Sequence, residues 1–361
     1  MKDAYLPRLL AEPLATSDEF IFSATHLDHP HIYDQCRGLI AAGASLRWVH
    51  DPRPERVAAF RREFLQARPA RSLDEILADP AVRLVTAAAI PSERSEIGCR
   101  VMEAGKDYLT DKPPFTTLDQ LAQARRVAAA TGRKYQIFYG DRLGVECAVH
   151  AERLIREGVI GEVLQVIGLG PHRLNLAKRP AWFFERDRYG GILCDLGSHQ
   201  CDKFLAYSGS TDAEVLHAAV GNRAHPDHPE LEDYGEASLL GTSGATNHHR
   251  VDWFTPDGQS TWGDGRTFVL GTRGTIELRS FCDVGRSSQG DLLFLVDEEG
   301  EHRIECAGRV GLPFYGDLLR DCLHRTERAQ TQAHAFKAAE LSLRAQAAAR
   351  RLPSAGNRAS P

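Results

Sequence analysis

No stretch of this sequence approaches the roughly 18–20 consecutive apolar residues that a membrane-spanning helix needs, so no span is expected. An excess of one charge is lacking too. The 44 basic and 49 acidic side chains leave a net charge of −5, which argues against an extended nucleic-acid or anionic-membrane surface. The first twenty residues lack the basic-then-apolar order of a secretory signal, so a cytoplasmic location is expected. The eight cysteines (Cys36, Cys99, Cys147, Cys194, Cys201, Cys282, Cys306, Cys322) include no Cys-x-x-Cys pair. They read as small core residues in a reducing compartment rather than as a disulfide framework. Cys194, beside Asp195, is the one with a conceivable reactive role.

An apolar share of 42% over 361 residues supports two domains with real cores. The first part alternates strand and helix. Phe20–Ala24, Leu46–His50 and Val82–Ile90 read as buried strands, and the intervening helices carry Ile32, Cys36, Leu39 and Ile40, then Val57, Phe60 and Phe64. Such repeated units predict a doubly wound parallel sheet. Beyond Tyr139-Gly140-Asp141 the pattern becomes a helix followed by strands: Val163–Leu169, Val215–Val220, Glu236–Leu240, His248–Phe254, Thr267–Leu270, Gly274–Leu278, Leu292–Val296 and His302–Cys306. That predicts an α+β domain with a large, mostly antiparallel, open-faced sheet. The expected organisation is an extension over 1–18, a dinucleotide-binding domain over 19–141, a substrate-binding and oligomerisation domain over 142–352, and a flexible tail over 353–361. An antiparallel sheet uncovered on one face invites a partner, so a homodimer or homotetramer is expected.

Glycine is missing where a dinucleotide fold needs it. The first strand runs into Ala24-Thr25-His26-Leu27-Asp28-His29-Pro30-His31, without the Gly-x-Gly-x-x-Gly that lets backbone approach a pyrophosphate. Pro30 removes an amide donor and Asp28 places a like charge there. Helix amides and the imidazoles of His26, His29 and His31 can donate to phosphate instead. The competing reading makes Asp28 an N-cap, with Pro30 opening the helix and the histidines exposed. Three histidines at this spacing match no established ligand pattern, so no metal site is expected. Asp51 ends the second strand, where an acid accepts ribose hydroxyls and favours NAD; an N-cap before Pro52 is its alternative. Arg53 suits a 2′-phosphate, which keeps NADP as the alternative cofactor.

Two motifs carry reaction chemistry. Asp111-Lys112-Pro113-Pro114 follows a strand, and Gly190-Gly191-Ile192-Leu193-Cys194-Asp195-Leu196-Gly197-Ser198-His199 lies later. If the glycine turn opens a helix, Asp195 and His199 share a face and the carboxylate can orient the imidazole. The bland alternatives are a helix-surface hydrogen bond and a surface lysine. A lysine, a carboxylate and a histidine together suit moving a proton while a hydride leaves carbon.

In this order the motifs resemble the glucose-fructose oxidoreductase / inositol dehydrogenase / MocA (Gfo/Idh/MocA) family. There a Glu-Lys-Pro tripeptide after a Rossmann strand precedes Gly-Gly…Asp-x-x-x-His-x-x-Asp. Asp111 replaces the usual glutamate. Ala104–Leu109, Gly158–Val163 and Gly271–Leu278 also match, so the resemblance covers roughly residues 20 to 350. It implies that Lys112, Asp195 and His199 are catalytic: His199 accepts the proton, Asp195 orients it or binds a substrate hydroxyl, and Lys112 stabilises the developing anion. Asp202 is expected to hold local structure. By the same resemblance Pro91, with Ser92 and Glu93, borders the nicotinamide. His172, Arg173 and Trp182 suit a wall for a sugar or polyol, with strand-end capping as their alternative, and the segments around Trp253 and Trp262 line that pocket or a subunit contact. The expected activity is an NAD(P)-dependent oxidation or reduction at a secondary alcohol or ketone of a sugar or cyclic polyol. NAD-recycling glycoside hydrolysis or a silent scaffold are the alternatives.

Overall fold

A computed structural model describes residues 2, 5–7 and 20–354. The chain forms two compact units. Most of the expected extension and tail lies outside the described residues.

The first unit takes in residues 11–138 together with 313–336. Its strands are β1 (Ile21–Thr25), β2 (Ser45–His50), β3 (Arg68–Pro69), β4 (Val82–Ala87), β5 (Asp107–Asp111) and β6 (Tyr135–Phe138), and its first helices are α1 (His31–Ala41), α2 (Pro54–Arg61), α3 (Leu73–Ala78), α4 (Arg94–Glu103) and α5 (Leu118–Thr131). The sheet order is β3-β2-β1-β4-β5-β6, all parallel. The chain therefore reverses direction of winding between β1 and β4, the place where such sheets open a ligand crevice at their strand ends. Local chemistry sets the helix limits. Thr117 and Gln120 form a capping box that starts α5, and Gly132 at φ 63° ends it.

The expected boundary at residue 141 holds no provision for 313–336, which the structure places with the parallel sheet. Helix α11 (Phe314–His324) lays Tyr315 against Phe138, ring centroids 5.2 Å apart, and against α1, where a side chain on Gly38 would collide with its ring. Beyond α11, Gln332 acts as a surrogate strand. Its amide oxygen accepts from Tyr135 N at 2.7 Å, and its amide nitrogen donates to Tyr135 O at 2.7 Å. Gln330 donates to Ile137 O at 2.6 Å. These side chains cover the backbone edge of β6, which a parallel sheet otherwise leaves unpaired. No local pattern announces pairing across some 200 positions.

The second unit begins with α6 (Gly140–Leu143) and α7 (Glu146–Arg156). Then come β7 (Val163–Pro171), α8 (Arg186–Tyr189), α9 (Ile192–Asp195), α10 (Gly197–Ser208), β8 (Ala213–Gly221), β9 (Tyr234–Gly241), β10 (Thr246–Asp252), β11 (Arg266–Gly271), β12 (Thr275–Arg279), β13 (Leu292–Asp297) and β14 (Gly300–Glu305). The greater part of α12 (Gln332–Ala348) and β15 (Arg350–Arg351) complete it. Its nine strands run β14-β13-β12-β11-β7-β10-β9-β8-β15, antiparallel except for the β7/β10 and β8/β15 pairs. All eight expected strands are present. Buried positions alternate with open ones along β9, β10 and β11, the period-2 signature of a sheet covered on one side. Register fixes the other face. Leu240, Thr246, Gln165, Leu270, Thr275 and Val296 lie opposite one another in a single cross-strand row, and Leu240, Leu270 and Val296 of that row are exposed. The start of the chain is anchored rather than loose where it is described: Tyr5 is buried, its hydroxyl donates to Asp297, and its carbonyl faces His150 Nε2 at 2.9 Å.

The β6 edge gives a direct test. Gln332→Ala leaves two backbone groups of the fully buried Tyr135 unpaired, an expected loss of about 1–3 kcal/mol. A lower urea midpoint with an unchanged slope would register it.

Candidate active site

The lysine motif is built at the end of β5. Asp111 is the last strand residue and is buried, as is Lys112 after it. Arg94, fully buried at the start of α4, fixes this corner. Its Nε donates to Ala89 O at 2.7 Å, its Nη1 to Pro113 O at 3.0 Å, and its Nη2 lies 3.6 Å from the Asp111 carboxylate. His31 Nδ1 reaches the same carboxylate oxygen at 3.0 Å, and His29 Nδ1 lies 3.6 Å from it. Burial alone would raise the Asp111 carboxyl; the facing His31, with Arg94 and His29, holds it well below the ordinary range. Lys112 is thus carried on a peptide gripped on both sides. Sequence reading missed Arg94, because nothing in Ser92-Glu93-Arg94 marks an arginine that folds inward. Pro91 is buried and opens a 3₁₀ turn over Pro91–Glu93 after β4.

The glycine-free turn is closed as a backbone cradle. The amide of His26 donates to His50 O, that of Leu27 to Asp51 at 2.7 Å, that of His29 to Ala88 O, and that of His31 to His29 Nδ1. Pro30 has no amide hydrogen, and it rather than Asp28 caps α1. His26 stands at φ 50°, a left-handed conformation glycine takes at lower cost. Its Nδ1 faces Thr25 Oγ1 at 2.8 Å and its ring meets His50 edge-on, so it parts company with His29 and His31. The Asp51 side chain has 0% exposure, and its oxygens accept from Leu27 N and from Arg53 N at 2.9 Å, which braces the turn. Asp28 is likewise enclosed, accepting from Arg53 and from Arg56 Nη1 at 2.7 Å. Arg53, 42% exposed, is the member of this group on the surface.

In the second unit the Gly190-Gly191 turn does open a helix. Both glycines have positive φ, 90° and 95°, and a side chain on Gly191 would strike Gln346 and Arg186. The freed helix amides are answered from afar: Ile192 N donates to Glu232 and Leu193 N to Gln346, each at 2.9 Å. The helix breaks at Leu196, between α9 and α10, so Asp195 closes one segment and His199 opens the next; both are buried. His199 Nε2 lies 3.8 Å from Asp141 Oδ1, and Lys203 Nζ lies 3.8 Å from Asp141 Oδ2 and 3.1 Å from Thr267 Oγ1. Asp141 is a further site residue that the sequence reading passed over. Its only signal is its place directly after β6 and Tyr139-Gly140. Asp202 goes to Arg142 through two bonds of 2.7 and 2.8 Å.

The proposed wall resolves into separate parts. His172 packs against Trp262 at 4.4 Å and Trp253 at 5.5 Å, which gives both tryptophan segments a place. Arg173 turns its guanidinium to loop carbonyls, Pro256 O at 2.9 Å and Gln259 O at 2.6 Å. Trp182 is buried beside Phe183. Arg179 lies over the rings of Phe183 and Trp253, at 4.4 and 4.8 Å. Burial pushes its guanidinium down and the charge of Asp195 pulls it back up, which places Arg179 in the electrostatic neighbourhood of the candidate carboxylate. Cys194 is buried and its thiol is pushed up to about 12, mainly by burial, a state without nucleophilic thiolate at neutral pH.

Comparison with known proteins converges on these features. Residues 26–139 match the model described as an oxidoreductase family with an NAD-binding Rossmann fold, and residues 148–277 match the GFO/IDH/MocA C-terminal domain. A crystal structure from Erwinia carotovora atroseptica, of a protein proposed to be an oxidoreductase, is 46% identical, covers 92% of this chain and 100% of its own, and superposes with a TM-score of 0.90. Scyllo-inositol 2-dehydrogenase (NAD(+)) of Bacillus subtilis is 26% identical over 68% of this chain and 69% of its own length. D-xylose dehydrogenase of Paenarthrobacter nicotinovorans is 28% identical over 35% of this chain, and the chain spans only 34% of that relative. The NAD fit is mixed. The winding reversal at the β1/β4 switch and the placement of Lys112 at the end of β5 suit a dinucleotide, whereas the amides of His26, Leu27, His29 and His31 are already engaged within the protein.

Asp111 carries a pH signature. Its folded carboxyl is held below the unfolded value of 3.8. Its contribution to stability is therefore fully present above that value and is lost as pH falls through the lower folded one. Asp111→Asn should lower stability at pH 7 and flatten the acid limb of stability against pH, measured by denaturant unfolding from pH 7 to 3.

Proposed function

The chain belongs to the Gfo/Idh/MocA oxidoreductase family, and from that premise we propose that it oxidises a secondary alcohol, or reduces the corresponding ketone, of a sugar, cyclic polyol or derivative with NAD(P). One observation supports this most: Lys112, Asp195 and His199 are all buried, at 7%, 9% and 5% exposure. Burying three ionisable groups costs stability and is characteristic of functional sites.

Bound NAD(P) supplies the hydride acceptor. The chain's own residues handle the proton and the charge. His199 Nε2 takes the hydroxyl proton, and Asp141 faces the imidazolium that results. The Lys112 ammonium stabilises the developing alkoxide, and Asp195 accepts from a neighbouring substrate hydroxyl or orients the imidazole. Arg179 and the aromatic rings of Phe183 and Trp253 offer a cation and apolar faces suited to sugar hydroxyls and CH groups. A cytoplasmic location fits a chain in which, among the described residues, no helix is long and apolar enough to cross a membrane.

A cofactor-reduction screen over sugars and polyols tests the activity. With a turned-over substrate in hand, Lys112→Met and His199→Gln should each lower kcat by about 10²–10⁴-fold while the cofactor still binds. Wild-type turnover in both variants would reject the mechanism.

The same reading includes a homodimer or homotetramer joined through the open sheet face. Exposed Leu240, Leu270, Val296 and Phe268 share that face with Glu277 and Arg303, which lie in the Phe268–Phe294 row, a mixture of apolar and oppositely charged groups suited to self-pairing. Light scattering should give at least a dimer, and Leu270→Lys should shift the mass toward the monomer.

A further inference from the structure

The cluster of His29, His31, Asp111 and Arg94 is left without a task by the proton chemistry above. Its two imidazoles are partly exposed, at 22% and 44% for their side chains, above a buried carboxylate. One ring nitrogen from each imidazole and a carboxylate oxygen lie within 4.8 Å of one another, the spacing of a three-ligand metal site. The charges speak against a cation. Arg94 Nη2 already lies 3.6 Å from the same Asp111 oxygen, and Lys112 is close enough to act on His29 electrostatically. A divalent ion there would face a guanidinium and an ammonium across one carboxylate. With the imidazoles neutral, Arg94, Lys112 and Asp111 sum to +1, which favours an anion.

Hydrogen bonding assigns the protons. The His31 amide donates to His29 Nδ1 at 3.3 Å, so in neutral His29 the proton sits on Nε2 and that atom is a donor. Burial pushes the His29 imidazole well below its ordinary range and keeps it in this neutral form. His31 spends its Nδ1–H on Asp111, whose carboxyl is held well below its ordinary range. The backbone of the turn offers little in competition, because the amides of His26, Leu27, His29 and His31 are engaged within the protein.

Resting on the cofactor reading above, we propose that this chain binds the pyrophosphate of its dinucleotide through side chains instead of a glycine-rich backbone turn. His29 Nε2–H is the direct donor to a phosphate oxygen. His31 is the positioning residue: its backbone N–H fixes the His29 ring and its tautomer, and its own ring is held by Asp111, while Arg94 and Lys112 supply the positive field. Phosphate recognition has moved from backbone amides to an imidazole positioned by its neighbour.

Calorimetry with NADH, ADP-ribose, adenosine and inorganic pyrophosphate, in the presence of EDTA, tests it. Wild-type protein should bind the first two and pyrophosphate. His29→Phe keeps a ring and deletes the donor, and should weaken NADH and ADP-ribose by a common factor of about ten or more and leave adenosine unaffected. His29→Gln restores an N–H and should recover part of the loss, which guards against a folding defect in the first variant. Unchanged NADH affinity in His29→Phe overturns the proposal, as does loss of wild-type binding in EDTA, which would reinstate a metal. If no nucleotide binds but pyrophosphate does, and His29→Phe abolishes it, the cofactor reading falls and the anion site stands. If neither binds, both fall.

Discussion

The buried carboxylate of Asp111 is the constraint on which the first unit's strand-end geometry depends. An unpaired anion at that depth would cost several kcal/mol; here Arg94 and His31 face one of its oxygens, with His29 beside them. Those partners come from three places: the start of α4, the first residue of α1, and the turn before it. Because one charge joins them, the end of β5, the β1–α1 turn and the α4 entrance are positioned as a set. Lys112 inherits its position from that set.

Sheet architecture was legible because it is written locally. Val82–Ala87 is apolar on both faces, as a central parallel strand must be, and its residues are buried apart from Arg83. Strands β9 to β11 alternate, so their count and direction change could be read without register. The turn chemistry was legible in part. The absence of glycine pointed to a poor backbone cradle, and the amides of His26, Leu27, His29 and His31 are engaged within the protein. The role of Asp51 was not legible, because an acid at the end of β2 looks the same whether it faces a ribose or Leu27 N. The grouping of three histidines was misleading for a similar reason: spacing cannot tell that His26 turns to Thr25 and His50 while its neighbours turn to Asp111.

What remained hidden is non-local. Arg94, Asp141, Gln332 and Glu232 each act on a residue far away in sequence, and each is an ordinary polar residue in its own surroundings. Helix caps read from sequence assume a local side chain, yet Ile192 and Leu193 are capped by Glu232 and Gln346. The same is true of segment 313–336, whose membership in the first unit rests on the ring of Tyr315 and two glutamines at a strand edge.

In the second unit, charge is sorted along one helix. On α10, Asp202 is committed to Arg142, which also takes Glu152 at 3.0 Å. With Arg156, which also pairs with Glu152, that network is neutral and serves as structure. One turn earlier His199, and one residue later Lys203, face the single carboxylate of Asp141 at 3.8 Å, beyond hydrogen-bond length. The difference between 2.7 Å at Asp202 and 3.8 Å at Asp141 separates a tight two-bond pairing with one guanidinium from a looser carboxylate shared by an imidazole and an ammonium.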